Sequence, residues 1–450
     1  MRNCYVVRWT VTEGMNQLPG AMVRRRAMAL FNWRPLRRPT RALEDPTLMP
    51  WRLFISRLPR RIVAQLLLPR FGRRIGTGPR SIDEVRHVAV IHWDNLGDAV
   101  LLGPVLRQLR RNLPAARIVL IFNEKNHGIF AHCPYVDCLL PQTVQLPAEE
   151  GEPHGTPENP GRLVLDAARL LRTETQSHGP IDLVIGPDWL DPVYGATFFE
   201  SALFRRGGGR RLLRGRARRK LATIVDIRRH HVRRNLEIAA ALGVEVLDDY
   251  LEFWTSQPDQ AMAIDLLRRL DANRPIIAMA VGAGAGRKRW PASRFGQVAA
   301  ELGGRTGAQI LLVGGRDARV GVDEIKDCLE GVVVDLVGET SIGVVGSVLR
   351  NADLLVSNDS GLAHVAAAVG TPVVVVFAHP LDGEPWVVAS PSRYRPWGVP
   401  SVVLQPPERI KECGDQSTCI AESAHCILTV PAEDVVEASM KLLAETRSTT

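Results

Sequence analysis

No apolar stretch in this 450-residue sequence approaches the roughly 18 residues that a membrane-spanning helix needs, the best run, Ile62–Leu68, being broken by Gln65. Aromatic residues are scarce, at 6%. The seven cysteines form an odd set without a Cys-x-x-Cys pair, and no secretory leader is legible, which argues against a disulfide scaffold and for a reducing cytoplasm. An Asp-x-Asp triple is missing, Cys413, Cys419, His425 and Cys426 lack regular zinc spacing, and there is no Gly-x-Ser-x-Gly elbow. Metal chemistry and an elbow serine nucleophile are therefore not expected. What is present, 45% hydrophobic and 23% charged residues, excludes collagen and global disorder and suits a globular protein of two or three domains.

The formal charge of +9 is unevenly spread. Residues 1–80 hold 17 basic and 3 acidic side chains, leaving 40 against 45 for residues 81–450. Within the basic arm, Leu53, Phe54, Leu58, Ile62, Leu66 and Leu67 recur at helical spacing with arginines between them. That pattern fits a basic amphipathic helix on an anionic membrane surface; a disordered arm, or upstream sequence read from too early a start, fits it equally.

From residue 87 the texture changes. HVAVIHW (87–93) predicts a buried strand, Asp98–Arg111 a helix and RIVLIF (117–122) another strand, the order of a parallel α/β sheet. Further strands are expected at Leu183–Ile185 and Thr223–Val225, with a helix over His231–Leu242 ended by Gly243. Residues 141–161 read as an exposed loop. After a polar segment at 255–274 the pattern repeats. Strands are expected at Ile276–Val281, Gln309–Val313, Val332–Leu336, Asp353–Ser357 and Val373–Phe377, and helices at Ala292–Leu302, Val344–Leu349 and Gly361–Val369. Two Rossmann-like domains facing a cleft follow, at 81–258 and 259–450. A last helix, Ala432–Leu443, is expected to fold back onto the first half.

Three places carry candidate chemistry. Asp98 lies just past the first strand's carboxyl end, where it either caps a helix or faces the cleft as a general base. In VGAGAG (281–286), glycines precede Arg287, Lys288 and Arg289, a combination suited to phosphate. Its spacing is not that of a dinucleotide fingerprint, and no acidic residue ends the following strand. In SNDSGLAH (357–364), a strand delivers Ser360 and Gly361 to a helix N-terminus, an anion site. Asp359 would repel a diphosphate, so it must cap the helix or bind sugar hydroxyls; His364 either faces the cleft or is structural. Arg205–Lys220, with nine basic residues in sixteen, is a solvated loop or an anion site, and its lack of aromatics argues against nucleic acid.

Taken in order, WDNLGDAVLLGPVLRQLRRNLPAARI (93–118), HHVRRNLEIAAALGV (230–244), RKRWPASRF (287–295), VSNDSGLAHVAAAVGTPVVVVF (356–377) and the Cys413, Cys419, Cys426 series before PAEDV resemble the ADP-heptose:lipopolysaccharide heptosyltransferases, glycosyltransferase family 9. The resemblance covers about residues 85–445. It implies a GT-B fold, an inverting, metal-independent transfer without cofactor, and a nucleotide-diphosphate sugar donor held mainly by the C-terminal domain. Asp98 then matches the general base and Lys288, between Arg287 and Arg289, the donor-phosphate lysine. Asp359, Ser360, Gly361 and His364 match the donor-binding turn. Where the family usually has His-Pro-Gly-Ala, this chain has Ala280-Val281-Gly282-Ala283. The expected acceptor is an anionic glycan or glycolipid, met by Arg210, Arg211 and Arg214. The expected location is cytoplasmic, on the inner face of the membrane. A transferase of the same fold with another sugar or a protein acceptor, and a non-catalytic nucleotide-sugar-binding protein, are the alternatives.

Overall fold

The computed structural model of the protein describes residues 7–9, 82–144, 160–186, 228–329, 331, 333–385, 390–410, 413, 421 and 423–448. The expected amphipathic helix near 53–67, the basic run with Arg210, Arg211 and Arg214, the strand at 223–225, Cys4 and Cys419 lie outside those residues. Met1–Val11 and Arg73–Thr450 belong to one unit, which contains every described residue, while Thr12–Gly72 form another.

The smaller of two sheets contains β2 (His87–His92), β3 (Arg117–Asn123), β4 (Cys138–Gln142) and β5 (Leu183–Ile185), in the order β4-β3-β2-β5 and all parallel. The larger contains β6 (Ile276–Ala280), β7 (Gln309–Val313), β8 (Val333–Asp335), β9 (Leu354–Asn358), β10 (Val373–Val376) and β11 (Ser401–Leu404). Its order, β11-β10-β9-β6-β7-β8, is the doubly wound one. The three-residue strand β1 (Val7–Trp9) adds an antiparallel edge along β11, so this part of the N-terminal arm pairs with the sheet.

Twelve helices connect and cover these strands among the described residues. They are α1 (Leu96–Leu101), α2 (Gly103–Asn112), α3 (His127–Phe130), α4 (Pro160–His178), α5 (His231–Ala241), α6 (Gln257–Leu267), α7 (Ala292–Thr306), α8 (Val322–Lys326), α9 (Ile342–Leu349), α10 (Gly361–Val369), α11 (Pro391–Tyr394) and α12 (Ala432–Arg447). The central strands are apolar runs buried on both faces, as parallel sheets require, whereas β4 and β8 are only half-buried. In the smaller sheet Ala89, Ile91, Val119 and Ile121 pack on Ala167 and Leu171 of α4, while Val88, Val90, Ile118 and Leu120 face Leu101, Leu106 and Leu109. That second core continues into the larger sheet through Val344, Val345, Ala363 and Val365, so the two lobes share one apolar floor.

Three expectations change. The helix over 98–111 is two: it starts at Leu96 and is interrupted at Leu102, because Pro104 has no amide hydrogen to continue the ladder. The stretch 141–161 is not a loop throughout, since β4 ends at Gln142, Val144 is buried and α4 begins at Pro160. Finally, α12 packs on the second lobe: Val435, Val436, Leu442 and Leu443 meet Phe295, Val298, Leu302, Leu354 and Val356, not the first half. Its apolar stripe finds the open face of the sheet that β11 has just completed. The helix stop at Gly243 is as expected, with a left-handed φ of 92° and Val244 N–H donating back to the Ala239 carbonyl.

Candidate active site

In the larger sheet the strand order reverses between β6 and β9, and in the smaller between β2 and β5. Ligands of open α/β sheets enter beyond the carboxyl ends of strands at such points. Each reversal here carries one of the motifs: the 281–289 and 358–364 turns follow β6 and β9, and the Asp94–Asp98 turn follows β2. A cleft of about 750 Å³ lies there. Its lining includes Asp98, Lys288, Arg289, Asp359, Ser360, Gly361 and His364, but not Arg287.

Asp98 is the third residue of α1, whose N-cap position is Asn95, so its carboxylate is not the cap. Its side chain is 20% exposed, and His231 Nε2 stands 3.8 Å from Oδ1. His231, at the start of α5, is itself held from the other lobe: Tyr394 stacks on its ring at 5.2 Å, with the Tyr394 hydroxyl 3.3 Å from Nδ1. Next to it, His230 stacks on Trp397, donates from Nε2 to the Arg395 carbonyl at 2.9 Å and accepts the Val232 amide on Nδ1. Both ring nitrogens are used as in neutral imidazole, and burial holds its pKa well below the usual value. The paired histidines thus tie the C-terminal lobe to the turn that carries Asp98.

On the opposite wall Lys288 Nζ lies 3.2 Å from Asp359 Oδ2, the two side chains being 17% and 9% exposed. Asp359 therefore does not cap α10. The N-cap is Ser360, in extended conformation with no side-chain cap on the helix amides, and its hydroxyl meets Ser357 Oγ at 3.2 Å. Arg289 folds onto the glycine turn, donating to the Ala283 carbonyl at 3.1 Å and reaching Asp317 at 3.2 Å. Behind them Asn358 braces the turns. Its amide donates to the Val281 carbonyl at 2.9 Å, and its oxygen accepts the Trp290 N–H at 3.0 Å. Burying an amide is tolerable because each end finds a partner.

The two walls meet where neither has a side chain. A Cβ on Gly361 would stand 2.4 Å from Leu96 Cδ2 and 3.2 Å from the Gly97 nitrogen, and one on Gly97 would stand 2.8 Å from His364 Cδ2. His364 of α10 thus presses its ring against Gly97 of α1. Burial, reinforced by nearby His231 and Lys288, pushes its pKa down to about 3. It is neutral, and its Nδ1 has no hydrogen-bond partner among the described residues.

Asp98, Lys288, Arg289, Asp359, Ser360, Gly361 and His364 are thus brought together, whereas Arg287 falls outside the lining. Sequence reasoning missed His231, Tyr394 and Asn358. The His-His doublet opening the 230–244 motif was the one available signal for the first. Asn358 was visible only as the residue before Asp359, and nothing local marked Tyr394.

Two Rossmann-like lobes with a shared cleft at their strand reversals define the GT-B class of fold. The model of glycosyltransferase family 9 (heptosyltransferase) matches residues 204–415. The lipopolysaccharide heptosyltransferase 3 of Escherichia coli K12 is 24% identical over 356 residues, covering 78% of this chain and 96% of the relative. The lipooligosaccharide heptosyltransferase 2 of Haemophilus influenzae is 32% identical over 146 residues, 31% of this chain, and that match spans 42% of the relative's own length. The solved E. coli ADP-heptose lipopolysaccharide heptosyltransferase II shares the fold, with a TM-score of 0.54 at 18% identity over 80% of this chain and 99% of that one. Over residues 204–415 the chain is thus similar to glycosyltransferase family 9.

Proposed function

We propose that the protein moves a heptose from a nucleotide-diphosphate donor to a hydroxyl of a lipopolysaccharide-core acceptor, with inversion, without metal or cofactor. One observation carries this reading: the Asp98 carboxylate and the Ser360–Gly361 helix N-terminus line one cleft of about 750 Å³, from opposite lobes. Asp98 takes the proton of the acceptor hydroxyl as that oxygen attacks the anomeric carbon on the face opposite the nucleotide. The bond to the diphosphate breaks and its electron pair leaves with the diphosphate. Lys288, with Arg289 beside it, and the uncapped α10 amides stabilise that charge, while Arg287, outside the lining, adds only to the field around them. Asp359 moderates Lys288 and turns its other oxygen to sugar hydroxyls, and His364 fixes the distance between the walls. His231 orients Asp98, as its ring is clamped by Tyr394.

The donor class rests on the family and on the ADP-heptose named for the E. coli relative. We place the acceptor domain at 81–258 and the donor domain at 259–450. Arg210, Arg211 and Arg214 are assigned to the anionic acceptor, and the basic arm of residues 1–80, apart from the Val7–Trp9 edge strand, to the inner membrane surface. No helix among the described residues is long and apolar enough to cross a membrane. Incubation of the pure full-length chain with ADP-heptose and a heptose-deficient core oligosaccharide should yield a product heavier by one heptose residue. Nucleotide binding with no product from any sugar donor would overturn the reading. Flotation with anionic liposomes should retain the full chain and release one starting near residue 80; equal partition would remove the membrane assignment.

A further inference from the structure

Outside the cleft, one group of side chains has no part in the transfer. Cys413, His425 and Cys426 each direct a ligand atom to one place, and these atoms lie within 4.8 Å of one another. Eleven residues lie between Cys413 and His425, so only the fold brings them together. We propose that these three residues hold a divalent transition-metal ion of the zinc class, as a structural centre remote from the sugar chemistry. The assignment goes beyond the proposed transfer and does not depend on it.

The donor chemistry selects the ion. Two thiols and an imidazole are the set that zinc and iron(II) prefer over calcium or magnesium. With Zn–S near 2.3 Å and Zn–N near 2.0 Å, tetrahedral ligand atoms sit about 3.5–3.8 Å apart, so side-chain movement of about 1 Å closes the group around an ion. The His425 ring accepts the Cys426 amide on Nδ1, which places its lone pair there. A metal would take over that lone pair, leave the proton on Nε2 and occupy its fourth position with water. Cys413 and Cys426 are not joined by a disulfide. Cys426 is 1% exposed, and a thiolate at that depth needs a counter-charge, which the ion supplies.

The surroundings give the ion a purpose. Cys426 opens the 3-10 turn Cys426–Thr429, which leads into α12. Ile427 of that turn is fully buried in the second lobe. The Val430 carbonyl accepts Trp290 Nε1 at 3.0 Å and Arg294 at 2.6 Å, and the Leu428 carbonyl accepts Arg294 at 2.7 Å. Trp290 follows Lys288 by two residues. An ion across Cys413, His425 and Cys426 would therefore pin the segment entering α12 against the base of the lysine turn. None of its ligands lines the cleft.

The test is metal analysis of the full-length chain purified without chelator. Elemental analysis should find about one zinc or iron per chain, released by a thiol-blocking mercurial. Cobalt substituted for it should show thiolate charge-transfer absorption. Cys413→Ser, His425→Ala and Cys426→Ser should each lower metal content at least about tenfold, while Cys328→Ser, at an exposed cysteine, should leave it unchanged. Should Cys426→Ser fail to fold, the stripped wild-type chain decides: added zinc, and not magnesium, should raise its melting temperature. Failure of the stripped chain to take up zinc, or a mass two hydrogens short that shows a Cys413–Cys426 disulfide, would overturn the proposal. Because these readouts need no sugar, failure of the transferase reading would leave them intact.

Discussion

The turns after β2 and β9 are built to one plan and end in opposite chemistry. Each leaves a buried parallel strand at a sheet's reversal point, carries a carboxylate and a glycine, and enters a helix. After β2 the order is Gly97 then Asp98, which sets the carboxylate inside the first helical turn, near a histidine. After β9 the order is Asp359, Ser360, Gly361, which sets the carboxylate before the helix, where Lys288 pairs with it and leaves the helix amides facing the cleft. In the proposed transfer, moving a carboxylate from one side of a helix start to the other is what separates a base from an anion cradle.

The comparison breaks most severely if the base is removed. Asp98→Asn should lower kcat by about 10²–10⁴-fold while titration with nucleotide gives the same Kd. Undiminished turnover would assign the proton transfer elsewhere. Next comes the cradle: Lys288→Ala should weaken donor binding by about 10–100-fold, since it also leaves Asp359 unpaired at 9% exposure. Lys288→Ala combined with Asp359→Asn should recover part of that loss, and strict additivity of the two changes in a calorimetric cycle would show that the ion pair does not tune the site.

The glycines where the walls touch come third. Gly361→Ala brings a Cβ against the Leu96 side chain and to 3.2 Å from the Gly97 backbone nitrogen, so Leu96 must turn aside and the Gly97 backbone must give way slightly. Gly97→Ala meets only the edge of the His364 ring, at 2.8 Å. Gly361→Ala should therefore raise KM and lower kcat more than Gly97→Ala, and equal effects would show that the walls are not in working contact. The smallest effect concerns His364. Its folded pKa of about 3 lies below the usual 6.5, so between those values the unfolded chain binds the extra proton. Its contribution to stability is complete above pH 6.5 and is lost as pH falls toward 3. The drop in melting temperature over that range should be shallower in His364→Gln; an unchanged slope would place the acid sensitivity in His230 or the carboxylates.

Much of this was legible in the sequence because it is local. Apolar runs such as VVVV at 373–376 and the residues around Gly243 specify strand and helix stop within a few positions. The 357–364 motif announces a strand, a turn and a helix start in the same way. The errors were mostly non-local, the break at Leu102 being the local exception. The direction in which α12 packs depended on β11, a strand too short to stand out, and the break at Leu102 turned on one missing amide hydrogen at Pro104. The 230–244 motif was noticed, yet His231 received no role because its partners, Asp98 and Tyr394, lie far away along the chain.

The amino-acid order alone therefore determined the building blocks: alternating buried strands and helices, a basic arm, a carboxylate after one strand and a glycine-serine turn after another. Only the tertiary structure decided which blocks meet. It set Asp98 beside His231, gave Lys288 to Asp359, closed Gly97 onto Gly361 and gathered Cys413 with His425 and Cys426. The physical reason is range. Propensity and periodicity act over a turn or a strand, whereas a pairing between distant residues exists only once sheet order and shared apolar packing have fixed their positions.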